Sequence, residues 1–129
     1  MKILITGAEG FIGRNLMARL CRNPKHVVTG VDRNHTWNEI EAALQESDFV
    51  FHLAGINRPQ SDSEFRTGNV DLTAQVCAVL QRRGQRIPIL LSSSIQADLD
   101  NPYGISKREA EEVLAGYAET TGAPVLIYR

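Results

Sequence analysis

Cysteine is scarce in this chain of 129 residues, which carries only Cys21 and Cys77. Without a second pair, two cysteines cannot complete a four-cysteine metal cluster, and we expect both to be reduced thiols packed in the core. The three histidines, His26, His35 and His52, also lack the spacing of metal ligands. The sequence therefore predicts no metal site.

Long hydrophobic runs and an excess of charge of one sign are also absent. The longest purely apolar runs are only a few residues and cannot cross a membrane, and the N-terminus does not have the pattern of a signal peptide. Fourteen basic and fifteen acidic side chains give a net charge of −1, which favours neither a nucleic-acid nor a membrane partner. We expect a cytoplasmic enzyme or binding domain, folded as one unit over residues 1–129.

Short β-branched runs alternate with amphipathic helical patterns along the chain. Strands are predicted over residues 2–6, 27–31, 49–53, 87–91 and 125–128. Helices are predicted over 11–22, from the capping box at Thr36, over 64–83 and over 102–120. Phe11, Ile12, Leu16 and Leu20 form the apolar face predicted for the first helix.

This alternation indicates right-handed crossovers and a parallel sheet with helices on both faces. Only sixteen residues separate Asp32 from Phe49, enough for one helix, so the third strand should lie beside the first. The predicted fold is α/β: a Rossmann-like three-layer αβα unit with a five-stranded parallel sheet in the order 2-1-3-4-5. Ligands of such sheets bind beyond the carboxyl ends of the strands.

A glycine-rich segment, G-x-x-G-x-x-G, lies between the first strand and the first helix. Gly7 suits a tight turn, Gly10 lets a pyrophosphate approach the helix N-terminus, and Gly13 permits close packing of helix on strand. The alternative is a glycine turn without a ligand. Asp32 follows the second strand, where a carboxylate can bind an adenosine ribose; a solvated turn aspartate is the alternative. Arg33 could instead meet a 2′-phosphate.

The most informative stretch is N-P-Y-G-I-S-K, which begins at Asn101. Asn101 and Pro102 suit the start of a helix, so Tyr103 falls in its first turn and Lys107 one turn later on the same face. A free tyrosine has a pKa of about 10, too high for a proton shuttle at neutral pH. A nearby ammonium group and a helix N-terminus both favour the phenolate. The alternative is a surface tyrosine beside a solvated lysine.

These segments together resemble the extended short-chain dehydrogenase/reductase family, also called the NAD-dependent epimerase/dehydratase family. The matching strings are T-G-A-E-G-F-I-G, H-L-A-G, S-S-S and Y-G-I-S-K. The longer strings D-F-V-F-H-L-A-G-I-N-R-P, L-L-S-S-S-I-Q-A and D-N-P-Y-G-I-S-K are similar to the capsular-polysaccharide nucleotide-sugar reductases of the CapF/WbjC type. The resemblance covers essentially the whole chain.

The resemblance implies a role for each matching residue. Tyr103, Lys107 and Ser94, the third serine of the triplet, match the catalytic residues, and Lys107 also matches a ligand of the nicotinamide ribose. The positions that match the cofactor site are Gly7, Gly10, Phe11, Ile12, Gly13, Asp32, Arg33, Leu53, Ala54 and Gly55. Asn69 matches an asparagine near the active site. Arg58 is a candidate contact to substrate or cofactor, with a loop arginine as the alternative.

The resemblance also implies an activity. We expect an NAD(P)-dependent reductase of a 4-keto UDP-deoxy-sugar in capsule or O-antigen precursor synthesis, with NAD and NADP both bound, and a homo-oligomer. The alternatives are a nucleotide-sugar epimerase that keeps its NAD and a dinucleotide-binding module without turnover. A 4,6-dehydratase is disfavoured because Ile95 and Gln96, rather than an acidic pair, follow Ser94.

Two departures from the family are visible in the sequence. The usual extended fold has a further strand and helix between Asp32 and Phe49. The family also continues past the position of Arg129 with a substrate-binding half, so the resemblance implies a truncated N-terminal fragment. His52 precedes the cofactor loop within a strand, and we expect it to be packed or hydrogen-bonded rather than catalytic.

Overall fold

Five parallel strands in the order β2-β1-β3-β4-β5 organise the chain in a computed structural model that describes residues 1–129. The fold class and strand order predicted from the sequence are therefore confirmed. The elements in chain order are β1 (Lys2–Thr6), α1 (Phe11–Leu20), β2 (Val27–Val31), α2 (Trp37–Glu46), β3 (Phe49–His52), α3 (Ser63–Phe65), α4 (Leu72–Arg82), β4 (Ile89–Ser92), α5 (Pro102–Thr121) and β5 (Val125–Tyr128).

Local signals in the sequence account for several helix ends. The Thr36 side chain accepts from the Glu39 backbone N–H while the Glu39 carboxylate accepts from the Thr36 N–H, so the predicted capping box opens α2. Asn101 caps α5 through the Gly104 N–H, and the helix ends at Gly122 in a left-handed conformation.

The two faces of the sheet are covered unequally. The main core lies on the face packed by α2, α4 and α5, and it includes Leu4, Val50, Leu91 and Leu114. Right-handed crossovers place α1 alone on the other face, where it packs on β1 and β2. The expectation of helices over both faces is thus met on one face and only partly on the other, because the order of strands sends three of the four crossovers to the same side.

Two residues of the apolar face predicted for α1, and one of the two thiols predicted for the core, are not buried. Phe11 is 86% exposed and Ile12 is 57% exposed in the first turn of α1, and only Gly13 of this helix is fully buried. Cys21 is exposed while Cys77 is buried, and both are free thiols. The prediction of two core thiols is wrong for Cys21, which follows the last turn of α1.

The helix predicted over residues 64–83 is interrupted. A π-helical segment (Arg66–Asp71) joins α3 to α4, and it contains the buried residues Asn69 and Val70. The Thr73 hydroxyl donates to the Asn69 carbonyl oxygen at 2.6 Å, a local bond that competes with the regular backbone ladder. A π segment of this kind is frequent at functional sites.

No helix is long and apolar enough to span a bilayer. No three residues among His, Cys, Asp and Glu come together in a way that could hold a metal ion.

Candidate active site

The glycine-rich segment forms a tight turn beyond β1. Gly7 has φ of 71°, and a Cβ there would lie 2.7 Å from the Ala54 nitrogen, so the turn packs directly on the loop after β3. A Cβ on Gly13 would overlap the Gly7 carbonyl oxygen. The close packing at Gly13 is therefore against the turn itself rather than against the strand, which corrects the detail of the prediction.

The N-terminus of α1 is open to a ligand. Gly10 is its N-cap, has no side-chain hydrogen bond, and donates its own N–H to the Gly7 carbonyl oxygen at 3.1 Å. The first N–H groups of a helix have no partner within the helix and attract anions. The exposed Phe11 and Ile12 lie in this same first turn.

A cleft of about 340 Å³ continues from this turn along the end of β2, and Ala8, Arg14, Gly30, Asp32 and His35 are among its lining residues. The Asp32 carboxylate accepts from the backbone N–H of Glu9 at 2.9 Å and of Arg33 at 2.8 Å. These bonds fix the carboxylate at the cleft, and each oxygen keeps a lone pair for a hydroxyl group.

The turn and the cleft together suit a dinucleotide. The uncapped helix N-terminus is chemically matched to a pyrophosphate, and the fixed carboxylate of Asp32 is matched to a ribose diol. The Arg33 side chain is exposed beside them. The sequence prediction did not include Arg14 and His35, although Arg14 follows the glycine motif directly.

The loop after β3 is held at two points. The Ala54 N–H donates to the Thr6 hydroxyl at 3.2 Å, and Leu53 donates its N–H to the Thr6 carbonyl oxygen. A Cβ on Gly55 would lie 2.8 Å from the Asn69 side-chain oxygen and 3.2 Å from Lys107 Nζ. Leu53, Ala54 and Gly55 therefore connect the glycine turn to the side chains of Asn69 and of Lys107 on α5.

Asn69 fastens three parts of the site together. Its side-chain oxygen accepts from the Ile56 N–H at 2.8 Å, and its amide group donates to the Ile56 carbonyl oxygen at 3.0 Å and to Ser106 Oγ at 2.9 Å. Ser106 in turn donates to the Tyr103 carbonyl oxygen. Asn69 thus joins the loop after β3 to α5, the two elements that carry the candidate residues.

Tyr103 and Lys107 lie in the first turns of α5. The Lys107 ammonium nitrogen is 5.9 Å from the centre of the Tyr103 ring and donates to the Ser92 carbonyl oxygen at 2.9 Å. Burial lowers the pKa of Lys107, and the nearby Glu111 carboxylate opposes that shift. The half-buried Tyr103 ring also packs against Phe65, with ring centroids 5.6 Å apart.

Two of the three serines at the end of β4 have side-chain partners, and these differ. Ser93 donates its hydroxyl proton to Glu111, which is also bound by Arg129, so Ser93 has no proton left for a substrate. The Arg129 hydrogen bond is the main reason that the pKa of Glu111 is lowered. The Ser94 oxygen accepts from the Gln96 N–H at 3.2 Å, which leaves its proton free to donate. The sequence prediction did not identify Glu111, although it lies one turn after Lys107.

His52 and Arg58 complete the set of sequence candidates. His52 is buried and hydrogen-bonded between Thr6 and Thr73, and burial lowers its pKa to about 4. The expectation of a packed, hydrogen-bonded histidine is therefore confirmed by its contacts. Arg58 is exposed in the loop after β3.

Comparison with known proteins gives the family of the chain. Across residues 3–129 the chain matches the NAD dependent epimerase/dehydratase family. It is 46% identical over its whole length to a UDP-2-acetamido-2,6-beta-L-arabino-hexul-4-ose reductase of Pseudomonas aeruginosa, and it covers 35% of that protein.

Solved structures show the same relationship. The capsular polysaccharide assembling protein CapF of Staphylococcus aureus is 50% identical with a TM-score of 0.86, over all of this chain and 35% of that one. RMD from Pseudomonas aeruginosa, solved with NADPH, is 25% identical with a TM-score of 0.79, over all of this chain and 54% of RMD. The chain thus spans about a third of the length of the reductase and of CapF, and it belongs to the NAD dependent epimerase/dehydratase family.

Proposed function

We propose that the protein to which this chain belongs is an NAD(P)-dependent reductase of a 4-keto UDP-deoxy-sugar, acting in the synthesis of capsule or O-antigen precursors. The observation that carries the proposal is the pairing of Lys107 with the Tyr103 ring and with the Ser92 carbonyl oxygen, two residues before Ser94, whose hydroxyl proton is free. The 46% identical relative, which is named as a UDP-sugar 4-ulose reductase, supports this substrate class.

The residues of the site have separate tasks in this proposal. When bound, NAD(P)H supplies the hydride that reaches the carbonyl carbon. Ser94 donates a hydrogen bond to the carbonyl oxygen, and Tyr103 gives that oxygen its proton. Lys107, held beside the Tyr103 ring, favours the phenolate that remains and binds the nicotinamide ribose.

The cofactor contacts are proposed in the same way. The turn at Gly7, Gly10 and Gly13 and the first-turn residues Phe11 and Ile12 receive the pyrophosphate, Asp32 and Arg33 face the adenosine ribose, and Leu53, Ala54 and Gly55 line the nicotinamide side. Asp32 repels a 2′-phosphate, whereas the exposed Arg33 attracts one, so we expect NAD and NADP to be bound with similar affinity.

Titration of both cofactors into the whole protein tests this expectation. The two dissociation constants should agree within about tenfold, which is 1.4 kcal/mol. Arg33→Ser should weaken NADPH alone, and Asp32→Ser should weaken NADH alone. A preference of about a hundredfold for either cofactor in the unaltered protein would contradict dual binding.

The experiment for the reductase itself is an assay of the whole protein with a 4-keto UDP-sugar and NADPH. One NADPH should be consumed for each sugar reduced. An epimerase would interconvert sugars without net loss of NADPH absorbance, and a module without turnover would do neither. Ser94→Ala should lower turnover by about a hundredfold, whereas Ser92→Ala, the matched control, should change it little.

A further inference from the structure

A buried chain of hydrogen bonds runs beneath the site from β1 to the π-helical segment. The Thr6 hydroxyl lies 2.7 Å from His52 Nδ1, and His52 Nε2 lies 3.0 Å from the Thr73 hydroxyl. Thr73 then donates to the Asn69 carbonyl oxygen at 2.6 Å. All four residues are buried: His52, Thr73 and Asn69 are at most 2% exposed, and Thr6 is 4% exposed. The reductase mechanism uses none of the three side chains before Asn69.

Each of these hydrogen bonds has a defined donor and acceptor. Because the single hydroxyl proton of Thr73 goes to the Asn69 carbonyl, His52 Nε2 must donate to Thr73. A histidine whose pKa is about 4 is neutral, so its Nδ1 has no proton and accepts from the Thr6 hydroxyl. Thr6 then accepts from the Ala54 N–H. His52 is thereby fixed in the Nε2–H tautomer.

Each end of this series of hydrogen bonds holds a different half of the site. At the Thr6 end, Ala54 is the backbone on which the Gly7 turn rests. At the Thr73 end, Asn69 holds the Ile56 loop and Ser106, whose neighbour is Lys107. A displacement at the Thr6 end would therefore move the Gly7 turn, whereas a displacement at the Thr73 end would move the Ile56 loop and α5.

We propose that His52 is a positioning residue with two separable effects: its Nδ1 holds the Gly7 turn through Thr6, and its Nε2–H holds α5 through Thr73 and Asn69. This inference deepens the proposed reductase function and rests on it for the catalytic readout. The two ring nitrogens can be replaced one at a time, because a glutamine amide can supply the Nε2-type donor and an asparagine oxygen the Nδ1-type acceptor.

The test measures dinucleotide affinity and single-turnover hydride transfer in the whole protein for His52→Gln and His52→Asn. His52→Gln should weaken NADPH binding about tenfold and leave the transfer rate within about threefold; a tenfold effect corresponds to the 1.4 kcal/mol expected for one buried hydrogen bond. His52→Asn should do the opposite. Thr73→Val should behave like His52→Asn, and Thr73→Ser, which keeps the hydroxyl, should restore the rate.

Equal losses of affinity and rate in both His52 variants, in proportion to lost thermal stability, would overturn the proposal and leave His52 as a packing residue. Nitrogen-15 NMR of the imidazole gives a readout independent of turnover: the Nε2–H tautomer should persist at neutral pH, and the Nδ1–H tautomer would also overturn the proposal. If the unaltered protein reduces no 4-keto sugar, the proposed function fails, while the NMR and affinity measurements still decide the role of His52.

Discussion

The side chains of the site differ in whether their hydrogen-bonding groups already have partners within the protein. Ser93 donates to Glu111, and both ring nitrogens of His52 are hydrogen-bonded to threonines. The hydroxyl protons of Ser94 and Tyr103 remain available to a ligand. This geometry argues against Ser93, since a serine that already donates to a carboxylate cannot donate to a substrate oxygen. The choice of Ser94 over Ser92 rests on the resemblance.

Tyr103→Phe removes the proton donor assigned to the reaction and keeps the ring that packs on Phe65. Turnover of the whole protein should fall by about a hundredfold or more, the usual contribution of a general acid. Dinucleotide affinity should stay within about twofold, because the dinucleotide contacts do not include the phenol group. Steady-state kinetics and a binding titration measure both quantities.

The control for this variant is Tyr128→Phe, which removes the hydroxyl of an exposed tyrosine on β5. It should leave turnover unchanged. Near-normal turnover in Tyr103→Phe would falsify the assignment of the proton donor.

His52 also predicts a pH dependence of stability. Its pKa is about 4 in the folded chain and about 6.5 in a free histidine, so the unfolded state binds more protons between these values. The contribution of the neutral, folded histidine is therefore complete above about pH 6.5 and is lost as the pH falls towards 4. Lowering the pH from about 8 to 5 should cost about 2 kcal/mol through this group.

Denaturant unfolding at several pH values measures this contribution, with His52→Asn as the reference that cannot titrate. The free energy of unfolding should fall less between these pH values in the variant than in the unaltered chain. Parallel pH profiles for the two proteins would contradict the lowered pKa.

At the scale of elements, the sequence predicted what local interactions determine. The capping box at Thr36, the N-terminus at Asn101 and the strand order all follow from short-range signals or from loop lengths. The π-helical segment does not follow from such signals, because it depends on Thr73 bonding to the Asn69 carbonyl and on the distant loop that Asn69 holds. Helical periodicity predicts a continuous helix there.

The same limit explains the errors at the ends of α1. A 3.6-residue period assigns each residue to a face of the helix, but it does not show how much of the helix packs against the sheet. Phe11, the first residue of α1, and Cys21, which follows its last turn, are both exposed. For the site, motifs pointed to the residues proposed here for catalysis and cofactor binding, whereas Glu111 and Arg14 were found only once the fold placed them beside those motifs.

Two glycines of α5 give an internal comparison at this scale. A Cβ on Gly104 would overlap the Gln96 carbonyl oxygen in the turn after β4, whereas a Cβ on Gly116 would meet nothing within 4 Å. Gly104→Ala should destabilise the chain by about 1–3 kcal/mol, as overpacking does. Gly116→Ala should stabilise it by about 0.5–1 kcal/mol, because alanine is the better helix former.

Chemical denaturation of both variants measures these free energies. Gly104→Ala should also lower turnover of the whole protein, since the clash lies next to Tyr103 in the first turn of the helix. Stabilisation by both substitutions would show that the contact between α5 and the turn after β4 is looser than the structure indicates.

At the scale of the whole molecule, the unequal covering of the sheet leaves an apolar strip. Phe51, Leu90 and Leu126 share one face by their register, and Tyr128 lies further along the same strand. None of these residues belongs to the main core, and Tyr128 is 62% exposed. The strip ends at β5, which pairs only with β4 and so presents a free strand edge.

We therefore expect residues 1–129 in isolation to self-associate through β5 and the adjoining strip. Unpaired backbone groups beside exposed Leu126, Ile127 and Tyr128 offer another chain both hydrogen bonds and apolar area. Sedimentation velocity over a concentration series should show species larger than a monomer. Leu126→Lys should return the chain to a monomer, because a charge on a strand edge opposes pairing.

The opposite edge of the sheet provides the control. Val27 is 62% exposed on β2, which is the other edge strand, so Val27→Lys should leave the association unchanged if β5 is the surface involved. Loss of association in Val27→Lys alone would move the contact to β2. A monomer at every concentration, with the β5 amides protected from hydrogen exchange, would show that the edge is shielded within a single chain, and the expectation of self-association would then be wrong.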